Sequence, residues 1–272
     1  MDGCRLLRPY SGQAVPEGDT IHYAASRIRP VLEGRAPDEI LTPHPRLRPD
    51  RWPERLAGRA VTAVDAYGKH LFLRFEGDLA LHSHLRMTGH WGVYAPGRRW
   101  GRSPRRAWLV LRAGDQQVVE FDGPVLELMT ESRTRFDQRL AQLGPDVLAP
   151  ELDEDEVLRR LRGDDPTRPI GDAILDQRTI AGIGNLWKCE GCFEAGVDPW
   201  RPARAVSDDE VRAILRAIRP AMQHSARHGF HVRPNAVHDR AGRACPRCGT
   251  RVLARGQGDD NRTTYWCPGC QS

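Results

Sequence analysis

The sequence predicts an α+β chain: an antiparallel sheet domain, then a helical domain, then a small ribbon held by metal. Three observations lead there. Between Val61 and Phe121, short apolar and polar alternations are punctuated by Gly68, Gly77, Gly89, Gly101 and Gly114, the pattern of an antiparallel sheet with tight turns. From residue 150 the period becomes that of amphipathic helices, with Val157, Leu158 and Leu161 on one side of segment 150–162. Near the end, Cys245-Pro-Arg-Cys248 and Cys267-Pro-Gly-Cys270 flank eighteen residues, the spacing at which two knuckles give four thiolates to one structural zinc.

The chain has 272 residues, enough for two domains with cores of their own, and a 39% hydrophobic content ordinary for a globular protein. No apolar run approaches the ~20 residues of a membrane span, and no segment resembles a signal peptide, so the expected location is cytoplasmic, away from membranes. The formal charge of +5 is unevenly spread. Residues 145–165 hold eight acids and three arginines, net −5, whereas residues 196–272 hold thirteen arginines and seven acids, net +6. The C-terminal part is therefore the expected polyanion-binding surface. Only two of the 41 basic residues are lysines, Lys69 and Lys188, a bias that suggests a GC-rich genome.

In chain order, Asp19 is a candidate N-cap for a first helix, with Ile21, Ala24, Ala25, Ile28 and Leu32 on one face until Pro30 disturbs the last turn. Pro37, Pro43, Pro45, Pro49 and Pro53 then imply loop and edge structure. Strands are expected at 61–67, 71–75, 79–85, 108–111 and 118–121. The turn Gly68-Lys69-His70 presents a lysine that is either a solvated turn residue or a functional cation. His82 and His84 share one strand face. Without neighbouring acids or cysteines they read as core or solvated histidines rather than ligands, and the run Arg98 to Arg106 reads as a solvated loop. From Ile170 to Trp187 the residues suggest a helix ending in Gly182-Ile-Gly184-Asn185 and reopening into another, a turn whose backbone N–H groups could grip phosphate. Cys189 and Cys192 follow on that second helix and read as small core residues. A last helix is expected near 208–228, and the ribbon carries Arg243, Arg247, Arg251, Arg255 and Arg262.

Pro16-Glu17 at the first helix start admits two readings. It is ordinary helix N-terminal chemistry. Alternatively, were Pro16 the first residue, its secondary amine would have an ordinary pKa near ~8, lowered further by the helix dipole, and would attack a sugar carbon with Glu17 shuttling protons.

Pro16-Glu17-Gly18, Gly68-Lys69-His70-Leu71, Leu175-Asp176-Gln177 with Ile180-Ala-Gly-Ile-Gly-Asn185, Val237-His-Asp-Arg240 and Tyr265-Trp-Cys-Pro-Gly-Cys-Gln271 together resemble the formamidopyrimidine-DNA glycosylase and endonuclease VIII (Fpg/Nei) family, in family order from residue 16 to 271. The resemblance implies an N-terminal β-sandwich with flanking helices, a helix-two-turns-helix domain and a zinc ribbon, expected here at 16–145, 146–236 and 237–272. It implies a monomer that binds damaged double-stranded DNA at the nucleoid and acts in base excision repair. Pro16 would be the nucleophile, Glu17 the acid/base group and Lys69 a phosphate contact that assists the chemistry. Asn185 and Arg262 would clamp the strand, and Arg86 with Met87 would fill the gap left by a flipped base.

Two departures from the formamidopyrimidine branch point to the endonuclease VIII branch and oxidised pyrimidines. Asp19-Thr20 stands in place of the usual Pro-Glu, and Phe230 to Arg240 is short for a purine-capping loop. The expected reaction is base excision followed by β,δ-elimination. Its rival is a non-catalytic sensor of damaged DNA. The N-terminus separates the two, because an internal proline nitrogen is an amide. Asp2 opposes removal of Met1, whereas Val15 fits a GTG start codon whose methionine is removed before proline. Residues 1–15 are thus expected to be a mis-called extension, with a mature chain of 257 residues, 16–272.

Overall fold

The computed structural model describes residues 15–272, so all but Val15 of the expected extension over residues 1–15 lies outside them. The described residues form two compact units, Thr20–Ala141 and a second that joins Gln142–Ser272 to residues 15–19.

Helix α1 (Gly18–Leu32) lies in the first unit from Thr20 on and buries Ile21, Ala24, Ala25, Ile28 and Leu32, as their spacing predicts. Pro30 does not cut the helix short. Near a helix end the missing N–H removes only one hydrogen bond. Asp19 is not an N-cap: it lies inside the first turn, its carboxylate drawn to Arg233. There follow β1 (Glu39–Leu41), α2 (Trp52–Leu56), β2 (Val61–Tyr67), β3 (His70–Phe75), β4 (Leu79–His84), β5 (His90–Tyr94), β6 (Ala107–Ala113), β7 (Gln116–Phe121), β8 (Val125–Thr130), α3 (Glu131–Phe136) and α4 (Gln138–Ala141). The five expected strands are present, and β1, β5 and β8 are additions to them. Two four-stranded sheets result, ordered β1-β6-β7-β5 and β2-β3-β4-β8, with every neighbouring pair antiparallel. One hydrophobic cluster joins both sheets to α1: Val64, Leu71, Leu73 and Leu81 from one, Leu109, Leu111 and Val118 from the other. Alternation along β6 and β7 sends Val110, Val119 and Phe121 to the opposite face, where Tyr94 and Trp100 cover them.

The second unit carries α5 (Glu154–Arg162), α6 (Ile170–Ala173), α7 (Asn185–Ala195), α8 (Asp208–His228), β9 (Leu253–Gln257) and β10 (Arg262–Trp266). Asp153 caps α5, and Ser207 with Glu210 forms a capping box on α8. The expected helix before Gly182 is only the four residues of α6. Beyond it the chain turns, held by the Gln177 side chain, which donates to the carbonyls of Leu175 and Ile183 and accepts from the Gly182 N–H. Trp187, Leu186, Ile218 and Met222 form the core between α7 and α8. Cys189 and Phe193 pack against Val237, Cys245, Val252 and Cys267, so α7 is also the platform for the ribbon hairpin β9–β10. Among the described residues no helix is long and apolar enough to cross a membrane.

Candidate active site and metal centre

In the second unit the short stretch before α1 meets the turn that opens α7. Gly18 N–H donates to the Gly182 carbonyl at 2.9 Å, and a Cβ on Gly18 would lie 2.8 Å from the Gly182 Cα, so the two backbones touch only because residue 18 is glycine. This contact brings Glu17 onto the helix start. Its carboxylate, 2% exposed, accepts from the N–H of Gly184 through Oε2 and of Leu186 through Oε1, each at 2.9 Å. A side chain on Gly184 would collide with that carboxyl. The glycine-rich turn therefore binds an anion as its residues imply, but the anion is the chain's own Glu17 rather than a phosphate. The two N–H donors fix the Glu17 carboxylate at the start of α7.

Two residues further on, Asp19 is fully buried. It accepts from Arg233 Nε and Nη2, both at 2.7 Å, from Ser225 Oγ at 2.5 Å and from Trp187 Nε1 at 3.0 Å. Burial pushes its carboxyl up, but the Arg233 charge and these four donors outweigh burial and leave its pKa below the usual value. The third guanidinium nitrogen, Nη1, donates to the carbonyl of Val15 at 3.1 Å.

Asn185 Nδ2 donates to the Thr263 carbonyl at 2.7 Å, which places the first residue of α7 beside the strand that begins with Arg262. Arg262 is exposed and lies 3.3 Å from Asp260. The other lysine, Lys188, is not a surface cation: it is fully buried, with Nζ 2.5 Å from Thr264 Oγ1 and 3.4 Å from Gln257 Oε1, and burial lowers its pKa. It pins the hairpin to α7. Glu190, also buried, accepts from the N–H groups of Ala236, Val237 and His238 and holds the segment leading into the ribbon.

The sulfurs of Cys245, Cys248, Cys267 and Cys270 all lie within 4.8 Å of one another, with 3.5 Å between Cys248 and Cys267 and 3.9 Å between Cys245 and Cys270. Tetrahedral zinc with bonds of ~2.3 Å requires sulfur separations of about 3.8 Å, so the donor set and its dimensions fit that ion. Cys189 and Cys192 are wholly buried, their thiols pushed up to about 11 and about 12 chiefly by burial, and they serve the core as their helical position implies.

In the first unit, Tyr67 pairs with His70 and leaves Gly68-Lys69 as a two-residue hairpin turn, with Gly68 at φ 55°. Lys69 is half-buried at that tip. Arg86 and Met87 follow β4; both are exposed, Met87 to 57%. Arg86 adopts φ 48°, and its N–H donates to His84 Nδ1 at 3.1 Å. His70 Nδ1 and His82 Nε2 lie 2.8 Å apart. Burial takes the His70 and His84 pKa values down to about 2 and about 4, helped by neighbouring cations, so these rings are neutral at pH 7. His82 is a core residue, 2% exposed. In the run 98–106, Arg102 and Arg106 are taken up by Asp122.

Residues 15–139 match the family model for the formamidopyrimidine-DNA glycosylase N-terminal domain, and residues 143–233 match that for its H2TH domain. The chain is 40% identical to the probable endonuclease 8 2 of Streptomyces coelicolor, over 95% of this chain and 94% of the relative. It belongs to the Fpg/Nei family. Two further relatives are the endonuclease 8 2 of Mycobacterium tuberculosis, 37% identical over 94% of this chain and 100% of its own length, and the DNA-(apurinic or apyrimidinic site) lyase Nei2 of Mycolicibacterium smegmatis, 34% identical over 95% and 99%. The fold is that of Lactococcus lactis Fpg, solved in complex with abasic-site DNA, with a TM-score of 0.78 at 20% identity over 94% of this chain and 99% of that one.

Several residues of this candidate site escape sequence reasoning. Nothing local marks Arg233. Asp19 shows itself only as a cap, and the Lys188 signal, a lysine in an arginine-biased chain, is genuine but belongs to structure.

Proposed function

We propose that the protein is a bifunctional DNA glycosylase and AP lyase of base excision repair, acting as a monomer on oxidised pyrimidines in duplex DNA. The observation that carries this reading is the anchored Glu17 carboxylate, held on the α7 N-terminus one residue after Pro16. The Pro16 amine would attack the anomeric carbon and expel the base, and Glu17 would carry the protons for ring opening. β,δ-Elimination from the resulting Schiff base would then cut the strand. Lys69 would bind a phosphate beside the lesion, Asn185 and Arg262 would clamp the strand, and Arg86 with Met87 would fill the gap in the duplex. Zinc on the four ribbon cysteines would supply stability, since its coordination is closed.

This chemistry needs Pro16 at the N-terminus. The family match beginning at residue 15, and relatives spanned end to end by 94–95% of this chain, support residues 1–15 being absent from the working protein. With Val15 attached, the nitrogen is an amide, and that form of the chain fits the rival reading, a non-catalytic sensor of damaged DNA. A side-by-side excision assay tests the proposal. Thymine glycol or 5-hydroxycytosine should leave faster than 8-oxoguanine paired with cytosine, because Phe230 to Arg240 is short for a loop that covers a purine. Faster release of 8-oxoguanine would contradict the pyrimidine assignment.

A further inference from the structure

Val15 occupies the position that a covalent reaction partner of Pro16 would take. Its carbonyl carbon is bonded to the Pro16 nitrogen and bears an oxygen. A sugar joined to the same nitrogen through its anomeric carbon C1′ would likewise bear its ring oxygen O4′ one bond further out. The group that meets the Val15 oxygen is Arg233 Nη1, at 3.1 Å.

We propose that Arg233 is the group that binds O4′ during the reaction, in the chain that begins at Pro16; this rests on the Pro16 nucleophile proposed above. The guanidinium is well placed for the role. It is 2% exposed, and Nε and Nη2 are each fixed to Asp19 at 2.7 Å. Asp19 is in turn fixed by Ser225 and Trp187, so the direction of Nη1 is set by two helices and not by a flexible side chain. The step it serves is ring opening of the Pro16 N-glycoside. The C1′–O4′ bond breaks, the nitrogen lone pair becomes the second bond of a C=N iminium, and O4′ gains one proton from protonated Glu17, which is left as carboxylate. Arginine does not release its own proton at neutral pH. It stabilises the charge that grows on O4′, as oxyanion-binding donors do.

The test uses chain beginning at Pro16, verified by mass, with duplex DNA carrying one abasic site and borohydride to trap the Schiff base in single turnover. Arg233→Lys keeps a cation beside Asp19, and Asp19→Asn with Arg233→Gln replaces the ion pair by two neutral amides. Trapping is expected to slow at least tenfold in the first and about 10²–10³-fold in the second. Affinity for duplex containing tetrahydrofuran, which has no reactive C1′, should change less than threefold and certifies folding. Variants that bind tetrahydrofuran DNA and trap at the parent rate would overturn the Arg233 role while leaving Pro16 in place. A parent that fails to trap would overturn the Pro16 reading and this one with it. A crystal structure of the unsubstituted chain reduced onto DNA needs no variant: Arg233 Nη1 within 3.5 Å of the former O4′ is expected, and a separation beyond 5 Å would contradict the role.

Discussion

The two units hold their candidate functional residues in opposite ways. In the C-terminal unit, Glu17 and Asp19 are buried and accept from a helix start, from side chains on two helices and from a buried guanidinium. In the sandwich unit, Lys69 and Met87 sit at turn tips, Met87 more than half exposed. Under the proposed reaction the contrast would separate two tasks. Groups that move protons must be placed to a fraction of an ångström before substrate arrives, whereas groups that meet a strand or fill a gap need reach and tolerate adjustment. The buried set also accounts for the glycines. Gly18 and Gly184 are small because a backbone and a carboxylate approach them, and no ligand needs to be invoked.

If the contrast is right, substitutions in the buried set should abolish turnover and leave DNA affinity nearly intact. Glu17→Gln should lower base excision by about 10²–10⁴-fold, with affinity for uncleavable duplex changed only a few-fold. A comparable loss of affinity would mean that Glu17 organises the binding surface instead. The metal comes next. Cys267→Ser should lose zinc, measured by elemental analysis, and with it DNA binding, whereas Cys192→Ser should retain a full equivalent. A full equivalent in the Cys267 variant would refute the four-thiolate centre. The smallest effect belongs to the exposed hairpin. Arg262→Ala should weaken binding and make the salt dependence of affinity shallower by about one phosphate contact. An unchanged slope would place Arg262 away from the DNA backbone.

What the sequence discloses follows the range of the interactions involved. The four clustered ribbon cysteines are legible because both pairs are local and their separation is a ribbon's. Strands β2, β3, β4, β6 and β7 are legible because each alternates over several residues. β1 is too short for a pattern, with only three residues. In β5, Gly92 interrupts the alternation, and in β8 apolar residues on both faces, Val125 and Met129 beside Leu126 and Leu128, blur it. The anion-binding character of the turn at 182–186 is legible from its glycines. Which anion fills it is not, since Glu17 lies 167 residues from Gly184. Asp19 suffers the same way: a carboxylate at a helix start reads as a cap until Arg233, 214 residues later, claims it. Local sequence states what a backbone can bind, and tertiary structure decides what it does bind.

The central claim is that the Pro16 nitrogen is the nucleophile and that residues 1–15 must be absent for it to act. Two forms of the chain, one as the sequence is written and one beginning at Pro16, are offered abasic duplex DNA with borohydride, and covalent product is resolved by mass. The short form should form a covalent complex through Pro16, and the long form should form none unless it is first trimmed. Equal trapping by an untrimmed long form would contradict the claim and pass the chemistry to another amine.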